Sequence, residues 1–190
     1  MTRLRYGNTN TFYLPGSGGG LLVDTDWAGT LGRFFRALGE AGLTLKEIRY
    51  VMATHYHPDH MGLVGELQRL GVTLLLAEEQ AGAVHASDGI FGRDPGLRYV
   101  PVDETAAVRF SCGESRAVLS GIGIRGELLS TPSHSRDSVS LLLDDGVCIV
   151  GDLEPLSYLE GYGENAALRR DWERLLARRP REILYAHAPG

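Results

Sequence analysis

The sequence lacks the features that mark membrane-spanning and secreted proteins. No apolar run approaches the roughly 18 to 20 uncharged residues that a membrane-spanning helix needs, and the longest ones, such as Val72–Ala77, have the length of a strand. Polar residues follow Met1–Tyr6, where a secretory signal would have an apolar segment. We therefore expect a cytoplasmic protein that does not span a membrane.

Cysteine and clustered basic charge are also scarce. The chain has only two cysteines, Cys112 and Cys148, which are too few for a disulfide framework, so we expect both to be reduced. Its 19 lysine and arginine residues are scattered and are outnumbered by 24 aspartate and glutamate residues, which gives a net charge of −5. Because nucleic-acid binding depends on clustered positive charge that neutralises phosphates, no nucleic-acid partner is expected.

The rest of the composition is that of an ordinary globular domain. The chain contains 190 residues, of which 43% are hydrophobic, and a chain of this size can bury about 70% of its unfolded surface. No linker divides it, so a single domain over residues 1–190 is predicted. Its 25 glycines are well above the usual share of about 7% and indicate many tight turns.

Strands and helices alternate in the first half of the chain, and strands dominate after Tyr99. Asn10–Leu14 and Gly20–Asp24 flank a Pro-Gly-Ser-Gly-Gly turn and are expected to pair as a hairpin. Further strands are predicted at Arg49–Ala53, Val72–Ala77, Ala117–Leu119, Ile124–Ser130, Ser138–Leu143, Val147–Val150 and Glu182–Ala186. Helices are predicted at Thr30–Glu40, Met61–Leu70, Glu78–His85 and Glu164–Arg178, the last with Leu168, Trp172, Leu175 and Leu176 on its inner side. This order predicts mixed sheets covered by helices.

Three histidines and an aspartate fall within six positions, in the sequence His-Tyr-His-Pro-Asp-His at 55–60. Because side chains two apart on an extended strand point to the same side, His55 and His57 can bind one ion, while the following turn directs Asp59 and His60 elsewhere. Imidazole and carboxylate ligands suit Zn²⁺, Fe or Mn, and the absence of nearby cysteine argues against a closed structural zinc site. A solvated polar loop is the alternative, but loops rarely collect three histidines. The cluster therefore predicts two adjacent metals with open coordination positions.

Three further candidate ligands each follow an apolar predicted strand. They are His134, Asp152 and His187. A histidine that caps a strand, a turn aspartate and a surface histidine near the C-terminus are the structural alternatives for these residues. Their interpretation as ligands depends on the cluster at 55–60.

Taken together, these residues resemble the metallo-β-lactamase superfamily of metal-dependent hydrolases, in which five short motifs occur in this order. Leu21–Thr25 resembles the first motif and His55–His60 the second, and the last three are centred on His134, Asp152 and His187. The resemblance covers nearly the whole chain. It implies an αββα sandwich, an α+β fold in which two mixed sheets are flanked by helices.

The resemblance also implies a dinuclear metal site with a ligand set for each ion. The first metal would be bound by His55, His57 and His134, the second by Asp59, His60 and His187, with Asp152 bridging the two and Asp24 supporting the ligands from behind. Two divalent ions are implied, with zinc favoured over iron or manganese.

The activity implied by this resemblance is that of a metal-dependent hydrolase. A shared water, activated as hydroxide at the metals, would attack an ester, thioester, lactone or phosphoester, with Asp59 as the catalytic residue that orients it and accepts its proton. The partner is expected to be a small-molecule substrate that is anionic or contains a carbonyl group. Because the chain stops at Gly190, a helical domain like the one that binds glutathione in glyoxalase II is not expected, and glutathione thioesters are disfavoured. No residue pattern decides whether a homo-oligomer forms.

Two other functions stay open at this point. The same ligand types can bind a single iron, as in sulfur (persulfide) dioxygenases that resemble this superfamily, which would make the chain an oxidoreductase. Alternatively, the chain could be a non-catalytic metal-binding protein with a vestigial site. Seven candidate ligands argue against the second alternative, since a lost function gives no reason to keep every ligand type.

Several residues near the candidate ligands have weaker interpretations. Tyr56, Arg136, Tyr158 and Tyr162 could donate hydrogen bonds to a substrate, although aromatic loop residues more often pack than catalyse. His85 lies outside every motif and is left out of the site. On position alone, the segments Ser87–Leu97 and Leu153–Glu164 are expected to line the substrate site, while Asp137 is expected to fix the His134 loop, and Cys148 is expected to be a buried hydrophobe.

Overall fold

Two mixed β-sheets face each other in the computed structural model, which describes residues 1–161 and 165–187. The first sheet has six strands in sequence order: β1 (Thr2–Arg5), β2 (Asn10–Leu14), β3 (Gly20–Val23), β4 (Ile48–Met52), β5 (Thr73–Ala77) and β6 (Val108–Phe110). Strands β1 to β3 are antiparallel, and β3 to β6 run parallel to one another. The predicted hairpin of β2 and β3 is therefore confirmed.

The second sheet contains the strands that follow the middle of the chain. They are β7 (Gly126–Ser130), β8 (Val139–Leu143), β9 (Val147–Gly151) and β10 (Glu182–Tyr185). Their order in the sheet is β10-β9-β8-β7, with β7, β8 and β9 antiparallel and β10 parallel to β9. The β8–β9 connection turns at Gly146, which has a φ of 91°, a conformation that favours glycine.

Helices cover the outer faces of both sheets. Seven α-helices lie within the described ranges: α1 (Leu31–Glu40), α2 (Pro58–Met61), α3 (Val64–Arg69), α4 (Asp88–Phe91), α5 (Ser115–Gly121), α6 (Tyr158–Gly161) and α7 (Ala166–Leu176). In this part of the chain, no helix is both long and apolar enough to cross a membrane.

Strand side chains alternate between the two faces of each sheet and so build three apolar layers. Val23 and Met52 of the first sheet pack with Leu141 and Ile149 of the second in the layer between the sheets. Their neighbours point outward, as Leu22 does towards the helices. The alternation thus places the two sheets face to face.

The outer layers join each sheet to its helices. Leu22 and Val51 pack with Phe34 of α1 and Leu67 of α3, while another set packs across the second sheet and α7: Cys148, Val150, Leu168, Trp172 and Leu175. The layer order is therefore helix, sheet, sheet, helix, which confirms the predicted αββα sandwich.

Three of the predicted elements are wrong or incomplete. Ala117–Leu119 lies within helix α5 and is not a strand, because Ser111 and Glu114 bond reciprocally and start a helical turn just before it. The predicted helix Met61–Leu70 is divided into α2 and α3 near Gly62, where a Cβ would come within 2.3 Å of the Ala28 backbone. The predicted helix Glu78–His85 is a short 3₁₀ helix at Glu78–Ala83.

The inner face of α7 also differs from the prediction. Leu176 is 42% exposed, and Asp171 is buried among the apolar residues of that face. The helix begins at Ala166 with the Asn165 side chain as its cap, and the predicted start at Glu164 lies outside the described residues. The strands β1 and β6 were not predicted, because each is short and carries exposed polar or charged positions.

Candidate metal centre

The seven predicted ligands meet at one edge of the sandwich, beyond the ends of strands from both sheets. His55 and His57 follow β4, and Asp59 and His60 lie in α2. His134 lies between β7 and β8, Asp152 directly follows β9, and His187 follows β10. Because chain segments distant in sequence end at the same edge, the structure brings all seven residues together.

The first group of side chains contains three histidines. The distance from His55 Nε2 to His57 Nδ1 is 2.9 Å, and that from His134 Nε2 to His57 Nδ1 is 3.3 Å. One ring nitrogen from each residue lies within 4.8 Å of the others, a spacing at which one ion could contact all three. This group has the membership predicted for the first metal.

The second group contains Asp59, His60 and His187. His187 Nε2 lies 3.3 Å from Asp59 Oδ2, and His60 Nε2 lies 3.9 Å from Asp59 Oδ1. These ligand atoms also fall within 4.8 Å of one another. The group has the membership predicted for the second metal.

Asp152 lies between the two groups. Its Oδ2 atom is 3.3 Å from His60 Nε2, 3.8 Å from His134 Nε2 and 3.9 Å from His55 Nε2. Its Oδ1 atom is 3.2 Å from His187 Nε2. One carboxylate therefore approaches histidines of both groups, which is the placement that a bridging ligand requires.

Unpaired polar atoms in this cluster fit a metal centre. The Nε2 atom of His60 and the Oδ1 atom of Asp152 are buried without a hydrogen bond of normal geometry in the described part of the chain. Leaving such atoms unpaired is costly. Nitrogen and carboxylate donors without cysteine also match the ligand preferences of Zn²⁺, Mn²⁺ and iron. These residues therefore fit divalent ions, whose number and identity the geometry does not fix.

The protonation states of several ligands suit cation binding. Burial and then the neighbouring His60, His134 and His57 lower the pKa of His55 to about 2, so its ring is neutral near pH 7. Burial also lowers the pKa of His134. For Asp152, burial acts to raise the pKa, but His60 and the other nearby histidines hold it well below the usual range. Neutral imidazole and ionised carboxylate are the forms that bind metals.

Asp24 lies behind His60, at the position that the family resemblance implied for a supporting residue. It is fully buried directly after β3, and its Oδ2 atom lies 3.2 Å from His60 Nδ1. Thr54 donates to it twice, from the backbone at 2.6 Å and from the hydroxyl at 2.9 Å. Burial acts to lower the pKa of His60, but Asp24 and Asp152 outweigh it and raise the pKa to about 10 in the metal-free protein.

The loops that carry His55 and His134 are joined by side chains at their base. Asp137 accepts a 2.7 Å hydrogen bond from the Tyr56 backbone, as expected for a residue that fixes the His134 loop. Gln80, which the sequence analysis did not single out, is buried and donates to the backbone carbonyls of Ala53, Thr54 and Asp137. A polar side chain that follows a buried apolar strand gives no sequence signal for these partners.

Helix α7 also holds the ligand loops. Buried Asp171 accepts a 2.8 Å hydrogen bond from the Ser133 backbone, next to His134. The Trp172 indole donates to the carbonyl of Glu154 at 2.9 Å, two residues after Asp152. Neither contact is predicted from the sequence, although an acid at the inner face of a helix is a signal that a buried partner exists.

A cleft of about 600 Å³ opens beside the metal centre. His134, Asp152 and His187 form its floor, and the walls are formed by Leu153, Glu154, Pro155, Tyr158 and Tyr185. The predicted lining segment after Asp152 is thus present as far as Tyr158. None of the described residues lining this cleft comes from the other predicted segment, Ser87–Leu97, because its Ser87 and Phe91 are buried in the layer outside the first sheet.

The remaining candidate residues lie in different environments, and only one of those that the structure describes lines the cleft. Tyr56 is 1% exposed and packs in the core, so it faces no substrate. Arg136 is exposed, Tyr158 lines the cleft, and Tyr162 lies outside the described residues. His85 is on the surface, paired with Asp88 and Glu104, away from the ligand groups.

An αββα sandwich with two His and Asp ligand groups at one edge defines a candidate metalloprotein with a site for divalent ions. Comparison with known families agrees with this class, since the model described as the metallo-beta-lactamase superfamily matches residues 4–187. The chain belongs to the metallo-β-lactamase superfamily, whose members bind divalent metals.

Individual relatives are distant. An atrochrysone carboxyl ACP thioesterase of Aspergillus fumigatus is 28% identical over 142 residues, which cover 72% of this chain and 27% of the relative. A metallo-beta-lactamase family protein of Thermus thermophilus aligns over 95% of this chain and 69% of its own, with 26% identity and a TM-score of 0.70. A protein from Thermotoga maritima, described as a putative metallo-beta-lactamase, aligns over 97% and 88% with 22% identity and a TM-score of 0.71. The two solved structures support the fold.

Proposed function

We propose that this chain is a hydrolase that uses two divalent metal ions, with zinc favoured, to cleave a small ester or thioester. Lactones and phosphoesters belong to the same reaction class. The placement of Asp152 between the two ligand groups, beside an open cleft, carries the proposal. The thioesterase named among the relatives adds support for thioester chemistry.

The ions, when bound, would lower the pKa of a water towards 7 and polarise a carbonyl or phosphoryl oxygen. His55 and His134, whose pKa values are lowered by burial, offer neutral ring nitrogens beside the cleft. Asp59 is partly exposed there, 3.3 Å from His187 Nε2, where its carboxylate can orient a water and accept its proton. Because two divalent ions bring more charge than Asp59 and Asp152 neutralise, the centre favours a carbonyl oxygen or an anionic group.

Metal content measured by elemental mass spectrometry is the first test. Protein purified without chelators or a histidine-rich tag is expected to hold about two equivalents of zinc or manganese, because each ligand group can hold one ion. His57→Ala should lower this content, whereas His85→Ala should leave it unchanged. His85 is the matched control because it is a surface histidine outside both groups.

Turnover is then measured by thiol release from short acyl thioesters. Removal of metal by a chelator should stop the reaction, and added zinc should restore it. Turnover that survives complete metal removal would refute the proposal. One equivalent of iron, together with oxygen uptake on a persulfide, would favour the oxidoreductase instead, and no metal after reconstitution would show that the ligands do not form a site.

A further inference from the structure

The walls of the cleft beside the metal centre are largely apolar. Leu153, Pro155, Tyr158 and Tyr185 contribute to them, and they rise from a floor of His134, Asp152 and His187. Tyr158 is 44% exposed. A group bound between these walls would transfer apolar surface from water to protein, which favours hydrocarbon.

Away from the proposed metal site, the charges that line the cleft disfavour anions. Among the described residues that line it, none is lysine or arginine. Within the same lining set, the only carboxylate besides Asp152 is that of Glu154, whose side chain is exposed. A phosphate or carboxylate bound along these walls would find no cationic partner and would be repelled by Glu154.

We infer that this cleft binds the acyl portion of the substrate and selects an uncharged, apolar acyl chain of several carbons. This inference rests on the proposed hydrolase function and specifies its substrate class. The carbonyl lies at the metal centre, and the hydrocarbon chain extends along Pro155, Tyr158 and Tyr185. Acyl groups that end in a carboxylate are disfavoured because Glu154 faces the same cleft.

A binding series tests the walls without any need for turnover. Acetamide, butanamide and hexanamide are titrated by NMR into the protein as purified and again after metal removal. Affinity should rise roughly fourfold per methylene until the cleft is filled, the factor expected for burial of one CH₂ group. Tyr158→Ala should reduce the gain in affinity per methylene. Phe35→Ala is the control, because it truncates an aromatic ring of similar exposure on α1, and it should leave the gain unchanged.

A second arm tests charge in the metal-loaded protein. A hexanoyl thioester is compared with an adipoyl thioester, which carries a carboxylate in place of the terminal methyl group. The kcat/KM for hexanoyl should exceed that for adipoyl by about tenfold or more, because the terminal carboxylate would leave water for an apolar wall, lack a cationic partner and lie near Glu154. Glu154→Lys should narrow this ratio by raising adipoyl turnover relative to hexanoyl turnover, and the metal content of the variant shows whether the metal site is intact.

Failure of this inference can be told apart from failure of the proposed function. The inference would be overturned if amide affinity did not depend on chain length, or if Tyr158→Ala showed the same increase in affinity per methylene as the wild type. Either result would count against it even if thioesters are hydrolysed. Equal turnover of hexanoyl and adipoyl thioesters would also overturn it. Amide affinity that rises with chain length, together with no hydrolysis of any ester or thioester by the metal-loaded protein, would support the apolar cleft and refute the hydrolase.

Discussion

Asp24→Asn is expected to weaken metal binding although it removes no proposed ligand. Asp24 is buried, accepts two hydrogen bonds from Thr54 and lies 3.2 Å from His60 Nδ1. Its carboxylate favours the form of His60 that carries a proton on Nδ1, which leaves Nε2 free for a metal. Asparagine has nearly the same shape and tolerates the φ of 61° at this position, so the change is mainly one of charge and of donor pattern.

The size of the effect follows from these contacts. The asparagine amide keeps one oxygen that accepts from the Thr54 backbone, but this acceptor is no longer charged. The weaker hydrogen bond costs about 1 kcal/mol of folding stability. An amide nitrogen directed at His60 favours the opposite tautomer, with the proton on Nε2. Changes of this kind behind a ligand typically cost about 10- to 100-fold in metal affinity.

The assay is a zinc titration against a chromophoric chelator, together with metal content after dialysis. One of the two sites should lose affinity more than the other, because His60 belongs to one of the two proposed ligand sets and not to the other. Asp26→Asn is the control, since Asp26 is also buried and bonds to the backbones of Thr9 and Trp27 without approaching a histidine ring. Two zinc sites of wild-type affinity in Asp24→Asn would refute this reasoning.

Three further predictions concern other residues of the site. Asp59→Asn should abolish thioester turnover even in molecules that retain metal, and substantial activity in metal-loaded variant protein would contradict the proposed role of Asp59. Asp171→Asn should weaken the bond to Ser133 and lower zinc affinity by roughly tenfold, with thermal unfolding to separate this effect from global loss of fold. In metal-free protein, the pKa of His60 is raised from 6.5 to about 10, so its contribution to stability is complete below pH 6.5 and lost as the pH rises through 10; chemical unfolding should show this decline, and Asp24→Asn should reduce it.

The ligands could be predicted because their signal is local. His55, His57, Asp59 and His60 lie within one short segment, directly after an apolar strand. A polar segment of this composition has little reason to occur at the end of a buried strand unless it binds something. The two groups also keep the memberships that the family resemblance implied, although the metal itself stays a prediction.

Most of the contacts that hold the ligands in place could not be predicted from the sequence, because the two partners are remote from each other along the chain. Asp171 meets Ser133 across 38 positions, and Asp24 meets Thr54 across 30. Sequence spacing shows that Asp171 lies on an apolar helix face, but the backbone group that satisfies it depends on how the helix docks on the second sheet. The segment Ala117–Leu119 was misassigned for a related reason, since three apolar or small residues suit either a short strand or one turn of a helix.

The division of the ligands between the sheets links metal binding to the assembly of the sandwich. Each proposed ligand set takes two residues from the end of the first sheet and one histidine from the second, His134 in one set and His187 in the other. Backbone hydrogen bonds join the sheets at the same edge, from Val139 to Thr54 and from Asn10 to Ala186. An ion in either set would therefore cross-link segments that only the docked sheets bring together. Because the unfolded chain does not hold these ligands together, the free energy of metal binding adds to the stability of the folded sandwich.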